Sequence, residues 1–65
     1  MKVGDLVKIL DGPRIGIPKD SIGLIVKHYL VKYDEIIHSL YEVQLCRSGR
    51  QIKRFGEDLE VLTKK

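Results

Sequence analysis

The sequence predicts an all-β fold, a small barrel of five short strands, and three observations predict it. Apolar and polar residues alternate at both ends of the chain, in Val3-Gly4-Asp5-Leu6-Val7-Lys8-Ile9-Leu10 and in Asp58-Leu59-Glu60-Val61-Leu62. Two longer apolar runs, over residues 22–32 and 40–46, fill the middle. Glycine and proline mark the joins, in the stretch 11–21 and at Ser48-Gly49. A barrel this small has little interior left for chemistry, so function is expected on its loops or outer faces.

Composition narrows the class. Sixty-five residues make one domain, read here as a single barrel over 1–65. Apolar residues at 43% are enough for one compact core, which argues against disorder despite 32% charged residues. No apolar run approaches the roughly 20 residues that cross a bilayer. Residues 1–5 carry no apolar signal segment, and Cys46 is the single cysteine, too few for a disulfide framework. The expectation is a cytoplasmic, unprocessed protein without a membrane or small-molecule partner. The net charge of +3 is a mild pointer to a polyanionic partner.

Each element follows in order. The first strand is expected over 3–10, with Val7 and Ile9 alternating with Lys8. The stretch 11–21 holds two Pro, two Gly and two Asp, which blocks helix and regular strand alike. Residues 22–32 and 40–46 form the arms of a central hairpin. A pairing in which opposed numbers sum to 69 sets Leu24 against Leu45, Val26 against Val43, His28 against Tyr41 and Lys27 against Glu42. The tip, 33–39, lacks the Gly or Asn of a tight turn, so a wide or frayed connection is expected. Arg47-Ser48-Gly49-Arg50 is a turn with Leu45 facing Ile52 across it. Strict alternation beyond it sends Arg54 inward and Phe55 out, and a β-bulge near Lys53-Arg54 is expected to return Phe55 to the core. Gly56-Glu57-Asp58 reads as a 3-10 turn before the last strand, 59–62, and 63–65 as a solvated tail.

Gly4-Asp5-Leu6-Val7-Lys8-Ile9, Gly23-Leu24-Ile25-Val26, Phe55 and Asp58-Leu59-Glu60-Val61-Leu62 together resemble the SH3-like barrel superfamily, over nearly the whole chain. Within it, Ile9-Leu10-Asp11-Gly12-Pro13-Arg14 with Gly16 looks like the KOW motif of transcription-elongation and ribosomal proteins. Gly23 would be the motif's glycine, set further off than usual by residues 17–22. The opening Gly-Asp-Leu-Val and closing Asp-Leu-Glu-Val-Leu are also similar to small tailed-bacteriophage proteins, and to barrel subunits of photosynthetic electron transport such as photosystem I subunit IV. The first likeness implies a phage-encoded accessory or regulatory protein in the host cytoplasm, the second a structural subunit of a larger complex.

The candidate sites are surface features. Arg47, Arg50, Lys53 and Arg54 fall within eight residues, and no acid lies between Glu42 and Glu57. On a hairpin they are spaced to meet phosphates or an acidic protein surface. Arg14 and Lys19 are secondary basic contacts on the 11–21 loop, whose Ile15 and Ile17 are expected to fold back and cap the barrel's open end. Ile25, Tyr29 and Leu40, placed on the outward face, offer a surface for a partner or for a homo-oligomer. His28, His38 and Cys46 have no spacing that suits a metal, and His28 beside Tyr41 reads as packing. No Ser-His-Asp set or phosphate-binding glycine loop is present, so the chain reads as a non-enzymatic binding module without a cofactor. The leading partner is an anionic macromolecule, nucleic acid or acidic protein, and the alternative is a structural protein–protein module.

Overall fold

In the computed structural model, which describes residues 1–18 and 21–62, five strands form one antiparallel sheet. They are β1 (Leu6–Ile9), β2 (Ile22–Tyr33), β3 (Ile36–Leu45), β4 (Gln51–Phe55) and β5 (Leu59–Val61), in the spatial order β4-β3-β2-β1-β5. The 3-10 turns Gly12–Ile15 and Gly56–Asp58 lie between β1 and β2 and between β4 and β5. Among the described residues no helix is long and apolar enough to cross a membrane. The edge strands β4 and β5 do not pair with each other, so the sheet is open.

One face of the sheet carries the core. Val7 and Ile9 of β1, Ile25 of β2, Tyr41, Val43 and Leu45 of β3 and Leu59 of β5 are buried together. Ile52 of β4 and Val61 of β5 pack against this same cluster, although their strands lie at opposite ends of the sheet. The sheet therefore curls around its apolar face. The loop closes one side as its sequence indicates: Ile17 is buried and Ile15 half-buried against the cluster. Ile17 is held there by its N–H, which donates to the Gly12 carbonyl at 3.0 Å.

Four local expectations are corrected. The first strand starts at Leu6 rather than at residue 3. Gly4 has a φ of +97°, and the Asp5 carboxylate accepts the Lys2 N–H at 3.0 Å, which together make a turn there. The hairpin tip is tight, since Tyr33 pairs with Ile36 and only Asp34 and Glu35 lie between them, both left-handed (φ 52° and 65°). That is the backbone of a type I′ turn, built here without the glycine or asparagine it favours. The turn after β3 is broader than Ser48-Gly49, because the Leu45 N–H donates to the Arg50 carbonyl at 2.7 Å and Ile52 pairs with Val43, not Leu45.

The fourth correction concerns the bulge, which lies on β2 and not on β4. From Lys27 to Tyr33 the opposed numbers sum to 69, with Lys27 against Glu42 and His28 against Tyr41. Between Ile25 and Lys27 the register shifts, so that Ile25 faces Val43, Leu24 faces Gln44 and Val26 is the extra residue. Gly23 shows why. A Cβ there would overlap Val43 Cγ1 and stand 2.9 Å from the Gln44 carbonyl oxygen, so only glycine lets β3 come this close. β4 pairs with β3 without a shift, from Gln51 against Gln44 to Phe55 against Leu40. Strict alternation therefore stands in β4, with Arg54 inward and Phe55 outward.

Left-handed backbone at a non-glycine residue costs roughly 1 kcal/mol or more. Replacing Asp34-Glu35 by Asn-Gly is expected to stabilise the fold by about 1 kcal/mol, which corresponds to a rise of about 4–8 °C in Tm for a domain this small. Thermal unfolding followed by circular dichroism measures it, and an unchanged or lower Tm would contradict the turn assignment.

Candidate nucleic-acid interface

The bulge at Val26 decides which side chains share the outer face. Before it, Gly23 and Ile25 face inward; after it, His28 lies on the Tyr41 side of the sheet, though exposed, and the odd-numbered residues of β2 face out. Cross-strand pairing then stacks the outer face in rows. Lys27, Glu42 and Lys53 form one row across β2, β3 and β4, and Tyr29, Leu40 and Phe55 form the next. Val31 with His38, then Tyr33 with Ile36, continue it to the hairpin tip.

Two interactions tie these rows together. The Tyr29 hydroxyl donates to Glu42 Oε1 at 3.0 Å, and Lys53 Nζ stands 5.5 Å from the centre of the Tyr29 ring. The one acid of the basic row is thus occupied by a phenol and flanked by two lysines. The hydrogen bond to Glu42, with desolvation and the carboxylate's charge adding to it, holds the Tyr29 hydroxyl above its ordinary value of 10.0. Beyond this row the aromatics meet edge to face: His38 lies 5.9 Å from Phe55 and 6.3 Å from Tyr33, centre to centre. Tyr33, His38, Phe55 and Glu57 line a shallow depression of about 220 Å³.

The predicted basic residues separate into groups. Arg47 and Arg50 are exposed in the loop between β3 and β4, and Lys53 is exposed on the outer face. Arg54 points the other way. Its Nε lies 3.3 Å from Asp11 Oδ2, with both side chains about three-quarters covered, and its Nη1 donates to the Lys53 carbonyl at 2.8 Å. Arg54 Nε and Asp11 Oδ1 are buried without a hydrogen-bond partner, so the contact is a charge pair rather than a well-aligned bond. Arg14 is exposed on the loop that brings Asp11 to Arg54. Lys19 lies outside the described residues.

Of the expected partner surface, Tyr29 and Leu40 are half-buried neighbours on the outer face, but Ile25 is fully buried in the core. The shift at Val26 turned it inward. Two site features escaped the sequence reading. One is the Tyr33–His38–Phe55 series, which an unshifted β4 would have revealed by placing Phe55 beside Leu40. The other is the Asp11–Arg54 pair, for which the sequence carries no local signal. His28 stacks on Tyr41 with ring centres 4.6 Å apart and planes 7° from parallel.

No family model matches the chain. No curated protein and no solved structure matches it significantly.

Arg54→Ala and Asp11→Ala are each expected to destabilise the fold by about 1–2 kcal/mol, because each leaves a partly buried charge unpaired. The double variant should lose less than the two combined, and strict additivity in denaturant melts would dissolve the pair. The Tyr29 hydroxyl is raised, so its contribution is present below the ordinary tyrosine range and lost as pH climbs through the raised value. In an alkaline titration followed by tyrosinate absorbance, Glu42→Gln should bring Tyr29 down toward the ordinary value, with Tyr29→Phe identifying the signal.

Proposed function

We propose that this chain is a non-enzymatic binding module that docks a single-stranded nucleic acid on its outer face. The observation that supports this reading is the adjacency of two rows and a loop. Lys27 and Lys53, with Arg47 and Arg50 at the same end of β3 and β4, supply cations for phosphates. Tyr29, Phe55, His38 and Tyr33, immediately beyond, supply rings on which bases can stack. Cationic grooves beside aromatic platforms are how proteins hold single strands without reading sequence, each stacked base contributing about 1–3 kcal/mol. Glu57, at the rim of the depression, disfavours a phosphate there and favours a base.

The cation set differs from a simple count of basic residues. Arg54 is engaged with Asp11 and is left out, while Lys27 joins through its pairing with Glu42. Four cations make a weak and salt-sensitive contact, in keeping with an accessory module. The strand order and the shared contact of Ile52 and Val61 with one core support reading the curled sheet as an SH3-like, half-open barrel, with the Gly56–Asp58 turn carrying the chain across its open side.

Titration of a fluorescent single-stranded oligonucleotide across about 50–200 mM salt tests the reading. Four phosphate contacts predict a slope near −2.8 in log affinity against log salt, at about −0.7 per contact. Arg50→Ala with Lys53→Ala should reduce that slope by about 1.4, again at about 0.7 per contact. Phe55→Ala should weaken binding about tenfold and leave the slope alone. Absence of binding at the low-salt end would refute the proposal, and equal affinity for a polyanion without bases would reassign the face to acidic partners.

A further inference from the structure

The outer half of the β2–β3 hairpin stands clear of the rest of the sheet. β1 pairs with β2 only from Ile22 to Leu24, and the N-terminal segment ends its cover at Ile25. There the Ile25 N–H donates to Asp5 O at 3.0 Å and the Ile25 carbonyl accepts from Gly4 at 2.9 Å. β4 follows β3 only as far as Leu40. Past Leu40 the hairpin continues to Tyr33 and Ile36, about 13 Å at roughly 3.3 Å per residue. No strand flanks it among the described residues. The arm is apolar on both sides: Leu30 (70% exposed) and Ile37 (66%) on one, Tyr33 (68%) and Ile36 (58%) on the other.

The two-residue turn fixes which backbone groups are free. Tyr33 and Ile36 close the turn as a hydrogen-bonded pair, so the odd-numbered residues of this part of β2 bond to β3. The N–H and C=O groups of His28, Leu30 and Lys32 then face the open edge. Such an edge is a template for another strand.

We infer that the strand it takes is the same edge of a second copy of this chain, antiparallel, about a two-fold axis at Val31. The opposed numbers then sum to 62. Val31 meets itself, Leu30 meets Lys32, Tyr29 meets Tyr33, and the acidic turn Asp34-Glu35 meets His28 and Lys27. Charge complementarity selects this register. The next register with less overlap sets Lys32 against itself. The next with more sets His28 against Lys32 and drives Glu35 onto Ile25, where Asp5 already holds the edge. The free length therefore matches the arm, from Lys27 to the turn.

The axis runs perpendicular to the sheet, so the outer faces of both copies lie on the same side. Tyr29 of one beside Tyr33 of the other would join the two aromatic rows into one continuous surface. The pairing goes beyond the binding role and stands independently of it. A nine-residue edge buries less than the about 800 Å² per partner of a standard interface, so the dimer is a reversible one.

Sedimentation equilibrium over a wide concentration range tests it. The expected result is an average mass rising with concentration from 7.5 kDa toward twice that value. Lys27→Glu and Glu35→Lys should each weaken self-association about tenfold or more, since each places like charges together twice per dimer. The two combined should restore most of the affinity, a rescue that damage to the fold would not produce. Val31→Lys should abolish the dimer, with thermal melts confirming a folded monomer. A mass fixed at the monomer value, or a dimer with no rescue by the paired reversal, would overturn the inference. Oligonucleotide binding measured at concentrations where the chain is monomeric keeps the two proposals separable.

Discussion

The register shift at Val26 is the constraint on which the rest of the molecule depends. β2 serves two partners with opposite demands. Near β1 it must bring a backbone without a side chain against Val43 and the Gln44 backbone, which Gly23 allows, and it must bury Ile25. Further along it must set Lys27 against Glu42 and His28 against Tyr41. No single alternation satisfies both, and one extra residue reconciles them. The same residue turns the strand's odd positions from the core to the exterior, which makes the row of Lys27, Tyr29, Val31 and Tyr33 an outer surface.

A second dependency links the loop after β1 to β4. Because β4 keeps its alternation, Arg54 points toward the core side, where an unpaired guanidinium would be costly. Asp11, at the start of the loop, meets it. The loop that places Asp11 also carries Ile15 and Ile17 back over the cluster. One segment thus supplies apolar cover and the counter-charge. That coupling explains why a stretch rich in glycine and proline folds inward instead of hanging in solvent.

Much of the architecture was legible from local pattern. Val7 and Ile9, then Leu59, announced strands by simple alternation, and Gly56-Glu57-Asp58 announced its 3-10 turn. Lys27 against Glu42 was readable from opposite charge, and His28 against Tyr41 shares its register. The apolar pairs Leu24–Leu45 and Val26–Val43 expected with them are displaced by the shift. What escaped arose where a local rule is overridden from a distance. Alternation looks wrong at Arg54 and points to a bulge there, but Asp11 far upstream supplies a counter-charge to that arginine. The bulge occurs instead where alternation looks right, because the close approach at Gly23 is invisible to periodicity. The Asp34-Glu35 turn was missed because its backbone form is normally signalled by Asn-Gly. The consequence for the site was direct, since Ile25 went inward and Phe55 joined His38 outside.

The pairing of β1 with β5 bears on how the molecule comes to be folded. β2, β3 and β4 form a meander whose neighbours are close in sequence, so these strands can assemble by short-range steps. Val7 meets Val61 across nearly the whole chain, the most non-local pairing in the sheet. Leu59, the core residue supplied by the three-residue strand β5, belongs to that pairing. Without it, Val7 and Ile9 lack their neighbour and the sheet has an open apolar flank. The shortest strand thus closes the longest loop in the protein.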